Sequence, residues 1–138
     1  MNDCIFCRIA SGEIPCMRVY EDESTLAFMD IAKDVDGHIL VIPKAHFKNI
    51  LDCDEETLSA VMKTVKRVSE HLTEDCGYDG VNLLNASNES AGQSVLHFHV
   101  HIIPRKHGDQ LDAWPKFDGA KQDIQDVFAG IRMRHRDV

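Results

Sequence analysis

The chain has no long apolar run, no internal repeat and no low-complexity stretch. A helix that crosses a bilayer needs roughly 20 consecutive apolar residues, so we expect no membrane partner. Residues 1–4 read Met-Asn-Asp-Cys and lack the basic start and the apolar stretch of a secretory signal. We therefore expect a cytoplasmic protein.

Clustered basic residues are also scarce. The chain carries 23 acidic against 15 basic residues, for a formal net charge of −8, and its basic groups are short, such as Arg132, Arg134 and Arg136. Proteins that bind nucleic-acid polymers gain affinity by neutralising phosphates with clustered lysine and arginine. This composition excludes such a polymer as the expected partner, whereas a small anion held by local donors remains compatible.

The chain also lacks the cysteine pattern of a disulfide framework. It has five cysteines, an odd number, and no secretion signal, which together argue against paired disulfides. Its length of 138 residues, 43% hydrophobic and 28% charged, is ordinary for one globular unit with a real core. We expect a single domain over residues 1–138.

The hydrophobic patterns predict an α+β domain, with an antiparallel sheet of about five strands covered on one face by one long helix. Prolines at positions 43 and 104 are predicted to end two of the strands. The predicted strands span residues 17–20, 25–28, 38–42, 80–85 and 96–103.

The long helix is predicted over residues 54–75, where apolar residues recur at helical spacing. Asp52, with Glu55 three residues later, suits its N-cap and capping box, and Gly77 suits its end. A short helix over residues 4–10 and a C-terminal helix over residues 118–134 are also predicted.

Residues 97–103 read His-Phe-His-Val-His-Ile-Ile. Because alternate side chains of a strand leave on opposite faces, His97, His99 and His101 are predicted to share one face, while the apolar residues serve the core. At about 3.3 Å per residue, the first and last imidazoles lie roughly 13 Å apart. Such strict alternation indicates a functional site.

Two chemical interpretations of the three histidines compete. Neutral imidazoles bind catalytic metals, but three positions spread along a strand suit one ion poorly. Alternatively, one imidazole is a nucleophile toward phosphorus, since imidazole is largely unprotonated at neutral pH. Gly92, Gln93 and Ser94, just before the histidines, favour the second interpretation because neutral donors can hold phosphate oxygens.

A second constellation begins at Cys4 and Cys7, which have the spacing of a zinc half-site. A redox pair is the rival interpretation of this spacing. A closed zinc site needs two further ligands, and His46 and His97 are the candidates. Such a structural zinc site would tie the N-terminal segment to the sheet.

Residues 97–103 resemble the signature of the histidine-triad (HIT) family, in which histidine and apolar residues alternate. The resemblance extends from residue 4 to about residue 105 and leaves 106–138 as an extension without a matching motif. The other segments that agree with the family pattern are residues 4–9, 12–15, 26–31, 38–46 and 92–95.

The resemblance implies a nucleotide hydrolase. His99 would be the nucleophile that forms a nucleotidyl-histidine intermediate, and His101 would contact the phosphate and assist proton movement. His38 would either support the triad or simply pack at a strand end. The side chains that would hold the phosphate or the leaving group are Asn85, Gln93 and Ser94.

The resemblance also implies a purine nucleoside site, in which Asp30 accepts hydrogen bonds from the ribose hydroxyls. The apolar residues of this site can equally be read as ordinary core residues. They are Ile5, Phe6, Ile9, Phe28 and Ile31.

Within the family, His101 at the third triad position and the Cys4/Cys7 start are similar to the Hint-type and bacterial HIT branch. That branch implies homodimers whose sheets join into one, and cleavage of purine nucleoside phosphoramidates and related adenylates. The alternatives are a dinucleoside polyphosphate hydrolase, a zinc hydrolase that uses the triad directly, and a zinc-containing nucleotide-binding scaffold with little turnover.

Overall fold

The structure of the chain is a computed structural model, which describes residues 3–133. Arg134, which is the last residue of the predicted C-terminal helix, lies outside the described part, as do His135 and Arg136. The elements, in chain order, are α1 (Ile5–Ala10), β1 (Arg18–Glu21), β2 (Thr25–Met29), β3 (Ile39–Pro43), α2 (Glu55–Glu74), β4 (Gly80–Leu84), a 3₁₀ turn (Glu89–Ala91), β5 (Val100–Arg105) and α3 (Ile124–Ile131).

The five strands form one antiparallel sheet in the order β1-β2-β3-β5-β4, which confirms the predicted fold class. β3 lies at the centre and all five of its residues are buried, as expected for a strand that is apolar on both faces. Leu40 of β3 is in register with His101 of β5. The histidine strand therefore lies beside the most buried strand of the sheet.

The long helix α2 covers one face of the sheet. Its apolar stripe packs on the sheet with Phe98, Val100 and Ile102, which alternate with the histidines. The predicted N-cap Asp52 is wrong. Asp54 caps the helix by accepting a hydrogen bond from the Thr57 backbone N–H at 2.7 Å, whereas Asp52 accepts from two backbone N–H groups of the preceding turn.

The opposite face of the sheet carries a second core, whereas the sequence pattern predicts a sheet covered on one face only. Helix α1 lies on this face, and its buried residues Phe6 and Ile9 join four apolar strand residues in one cluster. Because the histidines point away from α2, they lie on the side of the sheet that α1 covers. The short N-terminal helix is therefore part of the surroundings of the triad.

The strand predicted over residues 96–103 is displaced toward the C-terminus, since β5 begins at Val100. The backbone groups just before it have partners other than a neighbouring strand. The Phe98 N–H donates to the Phe47 carbonyl at 2.7 Å, and Asn85 Nδ2 donates to the His99 carbonyl at 2.7 Å. The alternation of histidine and apolar residues thus begins at residue 97, before the ladder of strand hydrogen bonds begins at Val100.

The strand β5 also continues through Pro104 to Arg105, so the prediction that Pro104 ends it is wrong. The pairing with β3 stops at Ile102, and only β4 accompanies the last residues of β5. A proline is tolerated where one side of a strand has no neighbour. Because β3 does not pair with residue 104, the missing N–H of Pro104 removes no hydrogen bond between β3 and β5.

The C-terminal part is thinly packed in the described chain. Arg105 holds the first turn after β5 by donating to the Asp109 carboxylate at 2.8 and 2.9 Å. The helix predicted over residues 118–134 is shorter, and α3 has no buried residue. Within residues 3–133, no helix has the length and apolar character needed to cross a membrane.

Candidate active site and metal centre

The three alternating histidines point to one face of the sheet but face three different sets of neighbours. His97 is fully buried beside the N-terminal cysteines, His99 is nearly buried under α1, and His101 is half-buried on β5. The rings of His99 and His101 lie 4.9 Å apart, centroid to centroid. The segment therefore places each histidine in a different chemical environment.

His99 is held in one tautomer by its own backbone. Its Nδ1 lies 2.7 Å from the His97 carbonyl oxygen, which can only accept, so Nδ1 carries the proton and Nε2 carries the lone pair. Burial lowers the pKa of His99, because the charged form loses its hydration. The ring of Phe6 packs against His99 edge to face at 5.2 Å. A neutral imidazole whose Nε2 carries the lone pair is a good nucleophile.

His101 is joined to a second histidine and a carboxylate. Its Nδ1 lies 2.9 Å from Nε2 of His38, and Nδ1 of His38 lies 2.9 Å from the Asp34 carboxylate. The Asp30 carboxylate is 3.6 Å from the same His38 Nε2. Burial, followed by the proximity of His99 and His38, lowers the pKa of His101 to about 4. His101 is therefore neutral at physiological pH.

The structure brings together the four predicted metal ligands, Cys4, Cys7, His46 and His97. The Cys4 and Cys7 sulfurs lie 3.3 and 3.5 Å from His97 Nδ1. His46 Nδ1 lies 3.3 Å from the Cys7 sulfur and 3.2 Å from His97 Nδ1. Tetrahedral zinc with sulfur and nitrogen ligands places ligand atoms about 3.3–3.8 Å apart. The four-residue cluster has the donors and the spacing that this ion requires.

The outer contacts of this cluster also suit a cation. Nε2 of His97 lies 2.9 Å from the Pro43 carbonyl oxygen, so it carries the proton and the Nδ1 lone pair faces the cluster. Burial, and then the neighbouring Cys4, raise the pKa of the Cys7 thiol to about 11. A thiolate at this position therefore needs a nearby positive charge.

A second group that brings one carboxylate and two imidazoles together is Asp30, His38 and His101. The two facing ring nitrogens are 2.9 Å apart, closer than the roughly 3.3 Å separation of two nitrogens on one tetrahedral zinc ion. We interpret this pair as two imidazoles that share a proton.

The loop before the triad holds itself together with the side chains that were expected to bind phosphate. The Gln93 amide donates to the carbonyls of Lys48 and Val95 at 2.7 and 3.0 Å, and its oxygen accepts from the Asn88 backbone at 2.8 Å. Asn85 braces the His99 carbonyl, as described above. Ser94, by contrast, is exposed.

The apolar residues expected around a purine fall into two groups. Phe6, Ile9 and Phe28 are buried in the second core, which is the alternative interpretation left open by the sequence. Ile5 and Ile31 are 48% and 77% exposed, and these two can contact a ligand directly. Asp30 lies between the two groups, with one oxygen accepting from the Ala32 N–H at 2.8 Å.

A cavity of about 720 Å³ adjoins the four-residue cluster and the exposed Ser94. Its apolar part includes Ile5, Val95 and Leu96. His99 and His101 do not belong to this lining.

Sequence reasoning missed Asp34 as a site residue. Asp34 and His38 are four residues apart, which was the only sequence feature that could have linked them. The segment between β2 and β3 is irregular, so no helical or strand periodicity predicts the direction of the Asp34 side chain. Only the fold shows that the carboxylate reaches the outer nitrogen of His38.

Comparison with known proteins gives consistent matches. The HIT domain family model matches residues 11–108. The adenosine 5′-monophosphoramidase of Schizosaccharomyces pombe is 36% identical over 124 residues, which cover 88% of this chain and 90% of that protein.

Solved structures agree with this result. A HIT family member from Bacillus subtilis matches with a TM-score of 0.82 at 38% identity, over 97% of this chain and 99% of that chain. A zinc-bound histidine triad family protein from Mycobacterium smegmatis matches with a TM-score of 0.77 at 36% identity, over 85% of each chain.

The lowered pKa of His101 makes stability depend on pH. The folded pKa, about 4, lies below the ordinary value of 6.5, so on acidification the unfolded chain takes up the proton first. Stability is lost as pH falls from about 6.5 and the loss is complete below about pH 4. We expect His101→Gln to reduce this loss by about 1–3 kcal/mol, discounted for partial exposure of the ring.

Urea unfolding at pH 7.0 and pH 4.5 measures this difference. His107→Gln, at a 94% exposed side chain, is the control and should keep the pH dependence of the wild type. An equal loss of stability in wild type and His101→Gln would contradict the expectation.

Proposed function

The chain belongs to the HIT domain family, and we propose that it is a nucleotide hydrolase of the Hint-type and bacterial branch. The proposed substrates are purine nucleoside phosphoramidates or related adenylates, from which it releases the nucleoside monophosphate. The observation that carries this proposal is the neutral His99, whose Nδ1 is bound to the His97 carbonyl and whose Nε2 is therefore the nucleophilic atom. The matched S. pombe monophosphoramidase supports the substrate class.

The reaction has two steps. His99 Nε2 attacks phosphorus, the P–N or P–O bond breaks, and the leaving group takes a proton delivered through His101. Water then attacks the nucleotidyl-histidine, its proton passes to His101, and the P–Nε2 bond breaks to restore neutral His99. The Nδ1 hydrogen bond to a carbonyl stabilises the positive charge that develops on the His99 ring in the first step.

The remaining site residues are proposed to bind the substrate. Ser94 donates to the phosphate or the leaving group, and the adjoining cavity accommodates atoms beyond the phosphate. Asn85 and Gln93 act by fixing the backbone around the bound phosphate. Asp30 accepts from the ribose hydroxyls, and the purine contacts Ile5 and Ile31, with Phe6, Ile9 and Phe28 as the floor beneath them.

We expect His99→Ala to lower the release of AMP from an adenosine phosphoramidate by about 10³-fold or more, because the nucleophile is lost. Steady-state assays measure this loss, and mass spectrometry of quenched wild type should detect a nucleotidyl adduct on His99. His71→Ala, on the exposed end of α2, is the matched control and should keep wild-type activity. Wild-type turnover by His99→Ala would end the proposal.

We further propose that Cys4, Cys7, His46 and His97 hold a structural zinc ion. The fit of their separations to a tetrahedral site supports this, as does the zinc-bound relative from M. smegmatis. Bound zinc stabilises the thiolates and fixes α1 on the sheet. In this proposal His97 binds the metal and orients the segment before His99, and it takes no part in the reaction itself.

Metal analysis tests the zinc site. We expect about one zinc ion per wild-type chain and its loss, with a lower Tm, in the double variant Cys4→Ser, Cys7→Ser. Cys76→Ser, at an exposed cysteine outside the cluster, should keep both the zinc and the Tm. Unchanged zinc content in the double variant would refute this ligand set.

The chain is proposed to be one domain, with residues 106–138 as an extension, and to form a homodimer through β4. The two edges of the sheet differ: β1 carries charged Arg18 and Glu21 and a bulge, features that protect an edge from pairing. β4 has no charged residue, and its Leu83 is 45% exposed. Pairing of two β4 edges would continue the sheet across the dimer and cover this leucine.

We expect Leu83→Lys to convert the dimer to a monomer, because two buried like charges would face each other across the symmetry axis. Sedimentation velocity measures the mass. Val19→Lys, the same kind of change on the β1 edge, should leave the dimer intact. A monomeric wild type, or a Leu83→Lys variant that stays dimeric, would contradict this arrangement.

A further inference from the structure

Asp34, His38 and His101 form a continuous hydrogen-bonded chain that ends beside His99. Both links are 2.9 Å long, from the carboxylate to His38 Nδ1 and from His38 Nε2 to His101 Nδ1. The His38 side chain is only 8% exposed, while that of Asp34 is 53% exposed. The chain therefore runs from solvent, through a buried imidazole, to the neighbour of the nucleophile.

The two imidazoles differ in how closely carboxylates approach them. His101 lies against His99 and His38, and the Asp30 carboxylate comes within 4.8 Å of one of its ring nitrogens without a hydrogen bond. His38 has the Asp34 carboxylate on one nitrogen, and the Asp30 carboxylate 3.6 Å from the other. A positive charge is therefore better stabilised on the His38 ring than on the His101 ring.

We propose that Asp34, His38 and His101 are a proton relay, in which His101 exchanges protons with the substrate while the positive charge of the acid form resides on His38. This inference rests on the proposed hydrolase function and deepens it. Asp34 acts through His38 and is a positioning residue, whereas His101 touches the reacting atoms.

The proton that the relay gives to the leaving group in the first step is replaced by a proton from water in the second step. In the acid form, His38 carries protons on both nitrogens and His101 carries one on Nε2. When the P–N bond breaks, the leaving amine takes the Nε2 proton, and His101 Nδ1 receives the Nε2 proton of His38. When water attacks the adduct, its proton enters at His101 Nε2, the Nδ1 proton returns to His38 Nε2, and hydroxide bonds to phosphorus.

Asp34 stabilises the acid form because its carboxylate accepts the remaining His38 proton, at Nδ1. This hydrogen bond lowers the pKa of Asp34, so the carboxylate stays charged at neutral pH. The other charged groups near it are Asp36, Lys106 and Asp109, which share a shallow cavity with Asp34. We therefore expect removal of the Asp34 charge alone to weaken the stabilisation of a positive charge on the His38 ring.

The kinetic test compares Asp34→Asn with the wild type on two adenosine monophosphate derivatives. One carries an alkylamine, which must be protonated to leave, and the other carries p-nitrophenolate, which leaves as an anion. We expect adduct formation from the amine substrate to fall about 10- to 100-fold, because its proton supply is weakened. Adduct formation from the nitrophenyl ester, and the single-turnover dissociation constant Kd of both substrates, should remain close to wild type.

Asp36→Asn is the matched control. It removes the same charge from the same loop, and its side chain is exposed. It should keep wild-type rates on both substrates. A fall in Asp34→Asn that is equal for both leaving groups would indicate general damage to the site and would overturn the relay, as would wild-type rates on the amine substrate.

A measurement without turnover separates this inference from the proposed function. In an NMR titration of the imidazole nitrogens of the substrate-free protein, we expect the first proton taken up by the His38–His101 pair to appear on His38. In Asp34→Asn this uptake should move to lower pH, because the stabilising charge is gone. Uptake on His101 first, or an unmoved titration, would overturn the relay even in an active enzyme.

If the wild type turns over neither substrate, the proposed function fails. The titration still decides whether the pair stores its proton on His38.

Discussion

The hydrogen bond from His99 Nδ1 to the His97 carbonyl is the contact on which the rest of the site depends. It fixes the tautomer of His99, the proposed nucleophile, but it also uses a carbonyl that a strand ladder would otherwise require. Phe47 and Asn85 therefore supply the backbone partners of residues 98 and 99. The three histidines keep the alternation of a strand, while the first two precede β5 and pack against Phe6 of α1.

Because His97 precedes β5 and His101 lies within it, the two residues belong to two different clusters although they are only four residues apart. His97 turns to the N-terminal cysteines, where soft sulfur ligands and a buried imidazole suit a zinc ion. His101 remains on β5 and faces carboxylates through His38. His99 lies between the two sites and touches neither set of charges directly, which suits the neutral nucleophile that we propose.

Much of this arrangement could be predicted from the sequence, because the period of two places Phe98 and Val100 in one core and the histidines on the other face. The four-residue cluster could also be predicted from its donor types. The start of β5 could not, because it depends on contacts with Phe47 and Asn85 that are remote in sequence. Asp34 could not be placed for the same reason, since an irregular segment sets its position.

The four-residue cluster joins parts of the chain that are made at very different times. Cys4 and His97 are 93 residues apart, and synthesis proceeds at roughly 5–20 residues per second. The two N-terminal thiols therefore wait about 5–20 s on the ribosome before their last partner is made. During that interval they are ordinary cysteines, open to oxidation and to other metal ions. The proposed ligand set is thus complete only after His97 has been made.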